Sequence, residues 1–177
     1  MKKLLLFLLI GVVLISCNTK QDSTATGAST AAADTLTYPY KATYSSDITS
    51  PSHPEIAQKV LTVWKLFADN KIDGMKAYYA DTVTYDNAEG NRYHGSIDTL
   101  LSYVRNEMKG LDSLRFDISR WESVHMNDKD EDWVSIWAME RHYPKQGKPD
   151  SILMQENWKV KDGKVVYFNQ YKANVLR

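Results

Sequence analysis

From residue 56 the apolar positions follow a helical rhythm. Ile56, Val60, Val63, Trp64 and Phe67 recur every three or four residues, which is one stripe of an amphipathic helix. Ser52-His53-Pro54-Glu55 reads as its entry, with Ser or His near the cap, proline in the first turn and an acid at the positive helix end. The stripe stops at Asn70. Ile72, Met75, Tyr78 and Tyr79 continue as a shorter helix, and Asp73-Gly74 reads as the break between the two. Residues 82–86 are β-branched and aromatic, hence a strand. Residues 87–95 carry two Asn and two Gly and read as a turn or loop. Ser96 then caps a helix whose buried face is Ile97, Leu100, Leu101, Val104 and Met108, and Gly110 ends it.

From Leu114 the period becomes two. Leu114, Phe116 and Ile118 alternate with Arg115, Asp117 and Ser119, and the alternation stumbles near residues 121–124, which predicts a bulge. Residues 127–131 are a charged turn. The strand at 132–143 sets Trp133, Trp137, Met139 and Arg141 on one face and Val134, Ile136, Ala138 and Glu140 on the other. Both faces are largely apolar, which predicts cover on both sides. A loop at 144–149, a strand at 151–160, a tight Asp-Gly turn at 161–164 and a last strand at 165–174 follow. Helices gathered early and strands gathered late make an α+β domain, its antiparallel sheet packed on three N-terminal helices.

The N-terminal residues do not share these rhythms. A basic head, Met1-Lys2-Lys3, precedes an apolar run at 4–15. That run is too short to span a bilayer, which takes about 20 residues, and has the length of a signal-peptide core. It ends in Leu14-Ile15-Ser16-Cys17, which resembles the bacterial lipobox, and Cys17 is the only cysteine. The expected organisation is a lipoprotein signal peptide at 1–16, a disordered tether at 17–51 beginning with a lipidated Cys17, and the folded domain at 52–177. Ser, Thr and Ala dominate the tether up to Thr37, a composition that buries too little surface to offset its ordering entropy. The expected location is the bacterial cell envelope, anchored to a membrane through lipid. Asn18 is not the aspartate associated with inner-membrane retention, which favours the outer membrane.

Lys and Arg balance Asp and Glu at 22 each, so charge offers no reason to expect nucleic acid. The four histidines are scattered over different elements without i, i+3 or i, i+4 spacing, so no metal site is expected. No cofactor motif, phosphate loop, nucleophile elbow or Cys–His pair is present. Five Trp and eleven Tyr supply large burial per residue to a small core.

Four features in this order resemble the nuclear transport factor 2 superfamily, whose cone-shaped (cystatin-like) domains include ketosteroid isomerase, scytalone dehydratase and SnoaL-like polyketide cyclases. They are Asp73-Gly74 before a short helix, the phrase ADTVTYD at 80–86, the turn ending in Gly95 before a helix, and ENWKVKDGKV at 156–165. The resemblance runs from about Pro54 to Leu176 and implies a curved sheet closing over helices around an open-ended cavity. It places Asp86 at or beside the isomerase's base and Glu156 near an acid that donates to the developing oxyanion. It departs at the first helix, where the isomerase's oxyanion tyrosine is matched by Val63 and Trp64. No tyrosine lies between Glu55 and Lys71, which leaves Tyr78, Tyr79, Tyr85 or Tyr93 to substitute. It also implies a homodimer, since sheets of this family commonly pair face to face.

The candidate catalytic residues are therefore Asp86 and Glu156, and the candidate ligand-binding residues are Tyr85, His94, Trp137, Met139 and Trp158. Each has a plainer reading: Asp86 as a strand-end residue bonding the turn, Glu156 as an outward ion pair, His94 as a loop histidine and the tryptophans as core. Two functions stay open. One is a non-catalytic cone binding a small apolar ligand or an envelope protein. The other is a cofactor-independent isomerase, dehydratase or cyclase acting on a hydrophobic carbonyl compound.

Overall fold

The computed structural model describes residues 38–175. The expected signal segment, Cys17 and most of the expected tether lie outside the described residues. The chain divides into two units at Tyr40 and Lys41, and the fold below belongs to the second.

Its elements are β1 (Ile48–Thr49), α1 (Glu55–Ala68), α2 (Ile72–Met75), β2 (Tyr79–Asp86), β3 (Arg92–Ser96), α3 (Ile97–Met108), β4 (Leu111–Met126), β5 (Glu131–Pro144), β6 (Asp150–Lys161) and β7 (Lys164–Asn174). The strands form one sheet in the order β1-β4-β5-β6-β7-β2-β3. All neighbours are antiparallel except β2 and β7, which run parallel. The sheet is thus mixed where the sequence implied a purely antiparallel one. The parallel pair arises because β2 precedes α3 in the chain but closes the sheet beside its last strand.

Local chemistry explains the joints. Asn70 adopts a left-handed φ of 56°. The Lys71 N–H then donates to the Leu66 carbonyl and the Asn70 N–H to that of Phe67, at 2.8 and 2.9 Å, closing α1 as a Schellman motif. The helix break therefore lies at Asn70, and Asp73-Gly74 sits inside α2. Ser96 caps α3 by accepting from the Asp98 N–H at 3.2 Å. Asp162 and Gly163 both have positive φ, 50° and 72°, the conformation a two-residue hairpin needs. A side chain at 163 would also meet Lys59 Nζ at 2.7 Å.

Three further expectations change. Residues 92–95, read as loop, form β3 together with Ser96 and extend β2 into a hairpin with Asp86 opposite Arg92. The bulge in β4 falls between Ile118 and Arg120, earlier than expected. Part of the stretch read as tether joins the sheet: Ile48 and Thr49 pair with Met126 and His125, and Tyr44 packs edge-on against Trp133 at 6.1 Å.

The sheet has two unlike faces. On β5, Val134, Ile136, Ala138 and Glu140 are no more than 7% exposed, and on β6 so are Met154, Glu156, Trp158 and Val160. They share the core with Ile56, Val60, Val63 and Trp64 of α1 and Ile97, Leu100 and Leu101 of α3. The alternate residues face away from the helices. Trp133, Trp137 and Met139 are only partly buried there, so the helices cover β5 on one side and side chains such as Tyr44 and Arg120 cover only part of the other.

Candidate functional site

Between the helices and the inner face lies a cavity of about 670 Å³, a size that suits a drug-sized molecule. Its walls are mostly apolar: Val63, Trp64 and Phe67 from α1, Leu100, Leu101 and Val104 from α3. The sheet contributes Phe116, Met154, Trp158 and Phe168. Trp158 stacks on Phe168 at 4.5 Å with an interplanar angle of 10°, and Tyr85 stacks on the same ring at 4.4 Å.

Glu156 stands in this wall, 7% exposed. Strand register puts it between Ile136 on β5 and Gln170 on β7. Its Oε2 accepts from Trp158 Nε1 at 3.0 Å, and its Oε1 accepts from Gln170 Nε2 at 2.9 Å. Gln170 Oε1 in turn accepts from the Tyr85 hydroxyl at 3.3 Å. Burial pushes the Glu156 carboxyl up to about 7, with the Glu140 charge adding to the rise, while the Gln170, Trp158 and Trp64 N–H groups pull against it. The buried Trp64 N–H favours the carboxylate from nearby but makes no hydrogen bond among the described residues. Tyr79, 5% exposed, lines the same space. Burial and then the Glu156 charge push its phenol well above the usual range, so it remains a neutral O–H donor.

Every protein group bonded to Glu156 is therefore an N–H donor. When the carboxyl is protonated, its own proton finds no acceptor among those partners and is left to the cavity. When it is ionised, the same donors hold the charge. A carboxyl poised near neutral pH and facing an apolar space can take a proton from a bound molecule or give one.

A second polar group lies further along β5. Glu140 and His142 line the cavity, and Glu140 is 7% exposed. His142 Nε2 lies 2.8 Å from Glu140 Oε1, and its Nδ1 lies 2.8 Å from Asp150 Oδ1. The Glu140 hydrogen bond, more than any other influence, raises the His142 pKa above its ordinary value.

The structure brings Tyr85, Glu156 and Trp158 together at the cavity. It does not bring Asp86, His94, Trp137 or Met139 there. Asp86 follows Tyr85 on β2 and so points to the opposite face. It accepts from Arg92 Nε and Nη2 at 2.7 Å each and from the Tyr167 hydroxyl at 2.9 Å. The Arg92 hydrogen bond holds its carboxyl below the usual range. His94 is exposed, its Nδ1 2.8 Å from Thr84 Oγ1. Trp137 lies on the outer face under the Arg120 guanidinium, 3.9 Å from its ring centre, and Met139 shares that face by alternation.

Sequence reasoning missed Gln170, Glu140 and His142. The signal for the last two was a phase: a glutamate and a histidine in step with Val134, Ile136 and Ala138. Gln170 carries the same signal, in step with Phe168. Among the described residues no group of three or more His, Cys, Asp or Glu side chains is placed to hold a metal ion. No described helix is long and apolar enough to cross a membrane.

The fold recurs in solved structures. A LEH-like epoxide hydrolase from M. tuberculosis superposes with a TM-score of 0.58 at 16% identity, covering 70% of this chain and 86% of that one. A Shewanella denitrificans protein described as a SnoaL-like polyketide cyclase gives 0.56 at 11% identity, covering 68% and 91%. A nuclear-transport-factor-2-like protein of unknown function from Burkholderia pseudomallei gives 0.55 at 16%, covering 67% and 91%. At such identities the likeness is one of fold. No curated protein matches the sequence. The model of the SnoaL-like domain matches residues 58–168, which takes in the cavity from α1 to Phe168. The chain belongs to the SnoaL-like domain family.

Proposed function

We propose that the domain is an acid–base enzyme acting on a small, largely apolar carbonyl compound, with Glu156 as the group that takes and returns the proton. One observation carries this reading: a buried carboxyl, poised near 7, whose protein partners are all donors and whose free side is an apolar cavity. As carboxylate, Glu156 removes a proton from the carbon beside the carbonyl. The electron pair moves onto the carbonyl oxygen, where the Tyr79 hydroxyl and the Trp64 N–H, the latter unbonded among the described residues, both line the cavity and are the donors for that charge. Glu156 then returns the proton at another atom of the substrate, which is the step an isomerase or dehydratase requires. That fold relatives include an epoxide hydrolase and a protein described as a polyketide cyclase supports an enzymatic reading.

The test is hydrogen–deuterium exchange at the carbon beside the carbonyl of apolar cyclic ketones such as 2-tetralone, followed by NMR in D2O with the full chain. Glu156→Gln should lower the enzyme-dependent rate by roughly 100-fold or more, and the wild-type rate should inflect near pH 7. Exchange that survives in the variant would overturn the assignment. Tight binding, seen as quenching of Trp64 and Trp158 fluorescence, with no exchange would instead favour a non-catalytic binding cone.

The N-terminal pattern supports a place for this activity: the cell envelope, held by lipid on Cys17. Cys17→Ser should abolish incorporation of a labelled fatty acid into the chain, and unchanged labelling would refute the anchor.

A further inference from the structure

Glu140 is a charge where the fold gives no structural need for one. Its cross-strand neighbours are Phe116 on β4 and Ile152 on β6, and its side chain is 9% exposed. An ionised carboxylate in such surroundings costs several kcal/mol in desolvation unless it is paired. His142 supplies a partner, but not a whole one.

Both His142 nitrogens face carboxylate oxygens, Glu140 Oε1 and Asp150 Oδ1, each at 2.8 Å. A neutral imidazole donates through one nitrogen only, so one of these contacts would set two lone pairs against each other. Two carboxylates can both accept only from an imidazolium, the form that the raised His142 pKa favours, and one imidazolium is then shared between them. The cluster keeps one net negative charge. Asp150, 63% exposed at its side chain, is largely solvated, so the deficit falls on the buried member. Glu140 Oε2 accepts no hydrogen bond among the described residues, although Glu140 lines the cavity.

The other charges around the cavity do not fill that place. Arg92 is tied to Asp86, and Lys172 to Glu89. Glu107 lines the space and makes no ion pair among the described residues. The lining therefore holds surplus negative charge.

We infer that Glu140 Oε2 is an anchor for a protonated amine, so that the cavity selects an apolar molecule carrying an ammonium group and rejects its carboxylate counterpart. The inference deepens the proposed function and rests on it for the other end of the ligand. Ile136, opposite Glu156, lies four residues from Glu140 on the same strand, or roughly 13 Å at the backbone. A substrate with its carbonyl at Glu156 and its ammonium at Glu140 would be elongated, with an apolar middle along Ala138 and Met154. Glu140 binds, on this view, and Glu156 reacts.

The experiment uses three probes with one ring system: 2-(2-naphthyl)ethylamine, 2-(2-naphthyl)ethanol and 2-naphthylacetate. Each is titrated into the full chain by calorimetry at pH 7.5. The amine should bind about tenfold tighter than the alcohol, and the carboxylate weakest. Glu140→Gln should lose that tenfold for the amine and leave the alcohol within twofold. Equal binding of amine and alcohol to the wild type would overturn the inference, as would an amine preference that survives Glu140→Gln. If the variant does not fold, the wild-type ranking still decides. Failure here is separable from failure of the proposed reaction. Glu156-dependent exchange without amine preference removes the anchor alone, and amine preference without exchange removes the catalysis alone.

Discussion

The two faces of one sheet give two carboxylates opposite fates. Asp86 on β2 faces outward, where Arg92 grips both its oxygens and water reaches the pair. Its carboxyl is pulled below the ordinary range. Glu156 on β6 faces inward, where indole and amide N–H groups meet it but no cation does, and its carboxyl is pushed up to about 7. Both residue types are the same chemically. The difference is what lies across from them: a partner of opposite charge in solvent, or an apolar space. A carboxylate with a fixed counter-ion is finished chemistry. One without a counter-ion in an apolar space still has a proton to trade.

The largest expected contrast between the faces is in packing. Trp158 is 3% exposed and stacked on Phe168, so Trp158→Ala should cost about 3–5 kcal/mol through the cavity it leaves. Trp137, on the outer face of the neighbouring strand, loses part of its burial and its contact with Arg120. Trp137→Ala should cost about 1 kcal/mol. Urea unfolding midpoints of the two variants test this. Equal losses would mean that the outer face is packed as tightly as the inner one.

The next contrast is in pH. Glu156 titrates near 7 in the folded protein against an ordinary value of 4.5. The folded state therefore holds this proton more tightly than the unfolded state does. Stability linked to it is fully present below about 4.5 and is lost as pH rises to about 7, a change of roughly 3 kcal/mol. Glu156→Gln should be flatter over that interval, shown by urea melts at a series of pH values. His142, whose pKa is also raised, contributes a loss of the same sign as pH rises. It is present in both proteins, so the difference between them isolates Glu156. A wild type and variant with parallel profiles would show that Glu156 is not buried as described.

Much of the architecture was legible because periodicity reports burial directly. The stripe Ile56–Val60–Val63–Trp64, the Ser96 cap and the Asp162-Gly163 turn all follow from local chemistry. What was not legible required knowing which side of a strand the helices cover. The two faces of β5 are both rich in apolar residues, and the tryptophans made the wrong one look like a cavity wall. Trp137 and Met139 were misplaced for that reason, and Glu140 was overlooked for the same reason. Asp86 and His94 failed differently. Asp86 sits one residue from Tyr85 on a strand, so alternation alone sets it on the other face, whereas the face of His94 depends on residues 92–96 pairing as β3 rather than looping. Glu140, His142 and Asp150 meet only because the β5–β6 register sets His142 opposite Asp150, a long-range fact no local window contains.

The smallest expected effect is also the sharpest test of the contrast. Asp86→Asn removes an ion pair whose arginine side chain is 68% exposed, so the loss of stability should stay under about 1 kcal/mol at neutral pH. Because the Asp86 pKa is lowered, its contribution is present above the ordinary 3.8 and is lost as pH falls, the reverse of Glu156. The variant should therefore match the wild type most closely in acid, where Glu156→Gln also converges on it. In the ketone exchange assay Asp86→Asn should stay within twofold of wild type while Glu156→Gln falls by roughly 100-fold. The two variants remove one carboxylate each from opposite sides of the same sheet. If Asp86→Asn silenced exchange as fully as Glu156→Gln, the outer pair would be coupled to the cavity through β2 and Tyr85, and the division of the sheet into a chemical face and a structural one would fail.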